Sequence, residues 1–204
     1  MNQVFKYKLL KQVIPKDTIE FIHEYFLLKR RAFNTMLEHK IIPPYLEHLF
    51  GQVEDRMVRG TDYAMYADLV GETLLKRLKT VIQENINLGN IVENYSFVRI
   101  YKKGNVLKKH KDRGACECSA TLPIGGSPWP FFIEGKQFDL IPGDILIYNG
   151  FLEHWRNKFE DAECVQMFIH YNSVDTLKEK KLKPYDGRLH IGLPSHLALK
   201  TKDK

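Results

Sequence analysis

Hydrophobic and polar positions change their spacing along this chain. In the first ninety residues the apolar positions recur at helical intervals. Ile19, Ile22, Phe26 and Leu27, continued by Phe33 and Met36, form one stripe on a helix that opens at Pro15-Lys16-Asp17-Thr18 and ends near Glu38-His39. Asp17 or Thr18 is its expected cap, and Lys29-Arg30-Arg31 its solvated face. Ile41-Ile42-Pro43-Pro44-Tyr45 breaks the pattern, because prolines remove donors and restrict the residue before them. A polar stretch from Asp55 to Tyr63 reads as a surface loop. Leu69, Thr73, Leu74, Leu78, Val81 and Ile82 then predict a second helix over Met65 to Ile86, stopped by Leu88-Gly89-Asn90.

From Tyr95 the period becomes two. Phe97, Arg99 and Tyr101 fall on one strand face and Val98 and Ile100 on the other. Short β-rich runs follow at Glu117 to Ile124, Trp129 to Glu134, Lys136 to Leu140, Asp144 to Tyr148 and Cys164 to Tyr171, separated by Gly, Pro, Asp and Asn turns. Glu134-Gly135-Lys136 looks like a hairpin turn, and Val4 to Leu10 like an edge strand. Helices confined to the N-terminal side and many short strands after them predict a mainly β (α+β) chain. Its core is expected to be a double-stranded β-helix, a jelly roll of two sheets braced by the helices. The expected division is one domain over 1–204. Residues 1–90 serve as strand and helical support, 91–173 as the jelly-roll core, and 174–204 as a basic tail in which the pattern fades.

Three residues in the β region carry metal-ligand chemistry. His110 and Asp112 are two positions apart, so at the end of an extended strand both side chains project to the same side. His154 follows the strand launched by the turn Pro142-Gly143-Asp144, and closure of the sheets could return it to the pair. Two neutral imidazoles and one carboxylate leave a metal's opposite face open, as in non-haem Fe(II) oxygenases. Structural zinc would want a closed shell, usually with thiolates.

Around these ligands the segments Tyr95-Ser96-Phe97-Val98-Arg99-Ile100-Tyr101-Lys102-Lys103-Gly104 and His110-Lys111-Asp112-Arg113 resemble part of a known pattern, as do Gly125-Gly126, Trp129 to Ile133, Pro142 to Tyr148 and Leu152-Glu153-His154-Trp155. In that order they are similar to the motifs of prolyl-4-hydroxylase-like 2-oxoglutarate/Fe(II) dioxygenases. The resemblance covers about residues 91 to 173. It implies Fe(II) on His110, Asp112 and His154, 2-oxoglutarate as cosubstrate beside O2, release of succinate and CO2, and hydroxylation of a substrate C–H bond. Tyr101 precedes His110 at about the separation of a 2-oxoglutarate-contacting tyrosine in that family; the other reading is a core tyrosine.

One position departs from the pattern. The family carries Lys or Arg about ten residues after the distal histidine, to pair with the far carboxylate of 2-oxoglutarate, and here Cys164 stands there. A buried dicarboxylate end needs a cation, and Arg156, two residues after His154, is the candidate. Lys158, Gln166 and His170 are alternatives; Cys164, Gln166, Phe168 and His170 make one inward-facing row plausible. Arg156 has a second reading as a rim arginine paired with Glu160 or Asp161. Arg59, Tyr63, Tyr66 and Arg113 are candidate substrate contacts. The rival readings are a cupin-type metalloenzyme that does not use 2-oxoglutarate and a non-catalytic jelly-roll binding module.

Composition narrows little beyond this. With 204 residues and 44% hydrophobic content the chain can bury a full core. No run of ~18 apolar residues is present, so no membrane span is expected. The N-terminus lacks a signal-peptide pattern, which points to a cytoplasmic location. Three cysteines, Cys116, Cys118 and Cys164, do not make a disulfide framework. A net charge of +6 permits an acidic partner such as nucleic acid without concentrating the charge enough to show one. A peptide or protein, or a small molecule, is the expected substrate; oligomeric state is left open.

Overall fold

The computed structural model describes residues 5–53, 57–58 and 60–180. Two antiparallel sheets face each other. Strands β1 (Tyr7–Leu10), β2 (Tyr63–Tyr66), β3 (Ile91–Lys102), β5 (Cys118–Gly126), β8 (Ile145–Asn149) and β10 (Glu163–Ser173) form the larger, in the order β1-β8-β5-β10-β3-β2. The smaller holds β4 (Leu107–His110), β6 (Phe131–Ile133), β7 (Lys136–Phe138) and β9 (His154–Arg156), in the order β4-β9-β6-β7. This is the jelly-roll arrangement expected from the spacing of the strands.

Period-two alternation sorts the large sheet's side chains into two cores. Val98 and Ile100 of β3, Ala120 and Leu122 of β5, Ile145 and Ile147 of β8, and Val165, Met167 and Ile169 of β10 face the helices. The intervening Tyr95, Phe97, Tyr101, Leu146, Tyr148, Cys164 and Phe168 face the small sheet. Both faces of β3 and β10 are covered, which is why these strands are buried along almost their whole length, polar positions included. The row Cys164, Gln166, Phe168, His170 does point inward, and each of the four is buried.

Helices α1 (Lys16–Glu38) and α2 (Leu69–Glu84) lie on the outer face. Ile19, Ile22, Phe26 and Phe33 are the buried stripe of α1. Its start carries no side-chain cap: Pro15 takes the capping position, and Asp17 lies in the first turn. The basic triplet is not a bare solvated face. Lys29 pairs with Asp68, and Arg30 pairs with Glu163 and, at 2.6 Å, with Asp62, tying α1 to the loops around β2 and to β10.

The second helix begins four residues later than its periodicity predicts. Tyr63–Tyr66, including Met65, is recruited as the edge strand β2 beside β3, a tertiary pairing that local spacing does not register. Asp68 then caps α2 by accepting from Val70 N–H at 2.9 Å. Leu69, expected in the stripe, is exposed, and Thr73 is exposed as well; Gly71, Leu74, Leu75, Leu78 and Ile82 are the buried positions. Gly71 is required by close approach, since a Cβ there would meet the Ser96 side chain. The β6–β7 hairpin turns at Glu134 and Gly135 with φ of 47° and 86°, as the turn residues imply. Beyond β10 the expected fading gives way to a short helix α3 (Val174–Glu179), which Ser173 caps through Thr176 N–H. The edge strand's Val4, Arg59 and the basic tail from 181 lie outside the described residues. Among the described residues no helix is long and apolar enough to cross a membrane.

Candidate metal centre

β4 and β9 pair antiparallel with His110 directly opposite His154, so the two imidazoles meet with ring centroids 4.2 Å apart. Just past the end of β4 the Asp112 N–H donates to the Gly150 carbonyl at 2.7 Å, which turns its carboxylate back toward the pair. Gly150 has to be glycine: a Cβ there would overlap the Cys116 carbonyl oxygen and press on Asp112. Asp112 Oδ1 stands 3.8 Å from His110 Nε2 and 3.6 Å from His154 Nε2. The three ligand atoms lie within 4.8 Å of one another, and among the described residues no other such group of His, Cys, Asp and Glu forms.

The donor set fits a divalent metal in a way that spacing alone could not show. His110 Nδ1 lies 2.7 Å from the Lys108 carbonyl and His154 Nδ1 lies 2.8 Å from the Leu152 carbonyl. A carbonyl only accepts, so each Nδ1 carries the proton and each Nε2 presents a lone pair to the common point. Burial raises the Asp112 pKa, but the hydrogen bond and charge that His154 offers when its ring is protonated, with His170 and Ser119 behind them, outweigh it and hold the acid at about 2. Burial, and then the neighbouring His154, lower the pKa of His110, which favours the neutral ring a metal needs.

The three residues open into a cavity of about 490 Å³ between the sheets. Of the candidate substrate contacts, Tyr66 and Arg113 line it. Tyr66 stacks on Phe97 at 4.2 Å, and Arg113 donates to the Tyr95 hydroxyl at 2.7 Å. Tyr63 does not reach the cavity. It is fully buried on the helix side, its ring against Phe33 and its hydroxyl donating to the Phe50 carbonyl at 2.9 Å. Being two residues from Met65 and three from Tyr66 on one strand put it on the opposite face from Tyr66. Arg59 lies outside the described residues.

Tyr101 and Arg156 both point between the sheets. Arg156 is 1% exposed, so the reading of a rim arginine paired with Glu160 or Asp161 is overturned. Its guanidinium donates to the Trp129 carbonyl, to Gln166 Oε1 at 3.1 Å and to Thr121 Oγ1 at 3.3 Å, and lies over the Trp129 and Phe131 rings. None of these partners is a carboxylate. Its Nε and the Tyr101 hydroxyl are buried without any hydrogen-bond partner. Tyr101 lies edge-on to Trp129, the same indole that Arg156 covers. Lys158 is exposed and pairs with Glu160, which removes it as an alternative; Gln166 instead supports Arg156.

No protein-family model matches the sequence, and no curated protein matches it. Solved structures do. The chain has the fold of the 2-oxoglutarate/Fe(II) oxygenases. A prolyl-4-hydroxylase from Pseudomonas putida superposes with a TM-score of 0.53 at 14% identity, covering 82% of this chain and 92% of that one. HygX from Streptomyces hygroscopicus, solved with nickel, 2-oxoglutarate and hygromycin B, gives a TM-score of 0.56 at 11% identity over 84% of each chain. The non-heme alpha-ketoglutarate-dependent epimerase SnoN from nogalamycin biosynthesis gives 0.59 at 11% identity, over 83% of this chain and 78% of that one. At such identities the likeness is one of fold, and the chemistry has to be argued from the residues.

Ser119 carried no signal in the sequence motifs, and His170, read there as an alternative partner for the cosubstrate carboxylate, takes a different place. Ser119 Oγ donates to Asp112 Oδ2 at 2.7 Å, and His170 approaches Ser119 rather than a cosubstrate carboxylate. A lone serine facing inward on an apolar strand was the available hint. Cys116 also lines the cavity, 3.3 Å from the Tyr95 hydroxyl, and burial with the Asp112 charge pushes its thiol up to about 11.

Proposed function

We propose that this chain is an Fe(II)- and 2-oxoglutarate-dependent oxygenase that hydroxylates a C–H bond of a peptidyl residue or a small molecule, with the whole of 1–204 as one catalytic domain. The observation that carries the reading is the pairing of two features in the space between the two sheets. Three ligand atoms converge within 4.8 Å, and a buried guanidinium without a carboxylate partner lies on the same strand as one of them. His110, Asp112 and His154 would hold the metal, and Arg156 and Tyr101 the far carboxylate of the cosubstrate. Iron with 2-oxoglutarate and O2 supplies the oxidising power when bound, with succinate and CO2 as co-products.

The residues' own contributions follow from their places. The backbone carbonyls of Lys108 and Leu152 fix both imidazole tautomers before any ligand arrives. An anion reaching Arg156 would find a charge already desolvated and Nε and Tyr101 Oη still to be satisfied, so binding would relieve two unsatisfied groups at once. Phe131, Tyr148 and Trp129 surround this end and exclude water from it. Tyr66 and Arg113 stand on the cavity wall where a substrate would pack.

The test is an anaerobic titration of the metal-free protein with Fe(II) and then 2-oxoglutarate, read by the visible charge-transfer band of the chelate, with Asp112→Ala as control. A band that needs both additions and disappears in the variant is expected. Iron binding with no band on adding 2-oxoglutarate would transfer the protein to the cupin-type reading; absence of metal binding would leave a jelly-roll binding module.

A further inference from the structure

Strands β5 and β10 pair in a register that sets Ser119 directly opposite His170, both on the inner face. Ser119 Oγ lies 2.7 Å from Asp112 Oδ2, 2.9 Å from His170 Nδ1 and 3.3 Å from the Cys116 carbonyl. A hydroxyl owns one hydrogen. A carboxylate that binds metal is ionised and only accepts, so at the shortest contact the hydroxyl donates to Oδ2. The Cys116 carbonyl at 3.3 Å is then at most a weak second acceptor of that hydrogen, and the contact with His170 requires Nδ1–H to donate to Ser119 Oγ, which fixes the direction of the chain from His170 through Ser119 to Asp112.

This arrangement divides the carboxylate. Oδ2 is engaged by Ser119, while Oδ1 is the oxygen that faces both histidine Nε2 atoms. We infer that Ser119 and His170 are positioning residues that hold Asp112 as a one-oxygen metal ligand, keeping its second oxygen out of the coordination positions that a chelating cosubstrate and O2 must share. The inference rests on the metal-binding reading above. Neither residue would touch the metal. Their effect passes through the orientation of Asp112, which otherwise could rotate or bind through both oxygens. The two supporting residues are shielded from competing water: Ser119 is fully buried, and His170 is 6% exposed with its ring against Tyr95 at 4.5 Å.

The experiment titrates the metal-free full-length chain with Co(II) under anaerobic conditions, without 2-oxoglutarate, following the ligand-field spectrum. Wild type is compared with S119A, H170L, H170N and D112A, and the melting of each metal-free protein is recorded. S119A is expected to weaken Co(II) binding by about 10- to 100-fold and to alter the ligand-field spectrum. H170L should weaken it by about tenfold, the lower end of that range, because the hydroxyl loses its orienting donor. H170N, which keeps an N–H near the place of Nδ1, should recover most of that loss, an outcome that a purely space-filling role for His170 would not produce. S119A within about twofold of wild type with an unaltered spectrum would overturn the inference while leaving the metal site standing. Should S119A fail to fold, equal Co(II) affinities for H170L and H170N would overturn it instead. If wild type binds no Co(II), or D112A binds as wild type does, the metal-binding reading falls and the inference with it.

Discussion

Arg156 stands two residues after His154 on β9, and the alternation of that strand turns both side chains into the space between the sheets, His154 toward Asp112 and Arg156 toward Gln166. One three-residue strand therefore carries a metal-ligand candidate at one end and a fully buried cation at the other. The inner-facing cation expected ten residues beyond the distal histidine is replaced by Cys164, which accepts from Gln166 Nε2 at 3.1 Å, and Gln166 in turn accepts from Arg156. Arg156 thus stands on the opposite sheet from Cys164, its guanidinium 3.1 Å from Gln166, two positions along β10.

Burial opposes the charge on Arg156 and lowers its pKa, and no carboxylate offsets the cost. Replacing a buried ion by an apolar residue of similar length is often neutral or stabilising by about 1–4 kcal/mol. Arg156→Met should therefore melt no lower than wild type without cosubstrate, yet lose the thermal stabilisation that 2-oxoglutarate gives the wild-type protein. Differential scanning fluorimetry with and without 2-oxoglutarate reads both effects, and a preserved shift in the variant would remove Arg156 from the cosubstrate site.

Tyr101 makes a finer case. Its hydroxyl is buried and unpartnered, so Tyr101→Phe removes a polar group that the cosubstrate-free protein does not use. Stability without cosubstrate should hold or rise slightly, whereas 2-oxoglutarate affinity should fall by about tenfold, the equivalent of one hydrogen bond of roughly 1.4 kcal/mol to a charged group. Titration of the charge-transfer band measures it; equal affinities would make Tyr101 a packing residue.

Metal binding should depend on pH through His110 and not through Asp112. With its pKa held at about 2, Asp112 stays ionised across the working range. His110, whose pKa burial and His154 lower, stays neutral to a lower pH than an ordinary histidine at ~6.5. Mn(II) affinity should thus be level above neutrality and decline only as pH falls below the ordinary histidine range, where protonation competes for Nε2. Loss of binding already above pH ~6.5 would contradict this.

Gly150→Ala tests the support of the site. The added methyl group has nowhere to go between the Cys116 carbonyl and Asp112, so overpacking should cost about 1–3 kcal/mol and displace the carboxylate. Denaturant unfolding and Mn(II) titration should both register the change, and a variant with full metal affinity would show that the loop yields without moving Asp112.

Much was legible in the order of residues. Alternation in β3, β5, β8 and β10 announced two-faced strands, because a side-chain period of two is a local property of extended backbone. His110 and Asp112 could be paired for the same reason, being neighbours on one side of a strand end. Tyr63–Tyr66 could not be recognised as a strand, since its reason for being extended is the pairing with β3, and the helix predicted through Met65 was shortened by it. Lys29 and Arg30 were likewise read as solvated because their partners Asp68, Asp62 and Glu163 lie 32 to 133 residues away.

The sequence by itself determined the mainly β plan with helices on one side, the motif order, the three metal-ligand candidates and the odd cysteine where a cation was expected, because each is a matter of residue type and local period. Only the tertiary structure decided that the three ligand atoms meet, that Arg156 is buried against Gln166 and Thr121 instead of paired at the rim, that Tyr63 serves the core and Tyr66 the cavity, and that Ser119 and His170 stand behind Asp112. Those outcomes depend on strand register and on which sheet face closes over which, and register is set by the sum of many pairings across the fold.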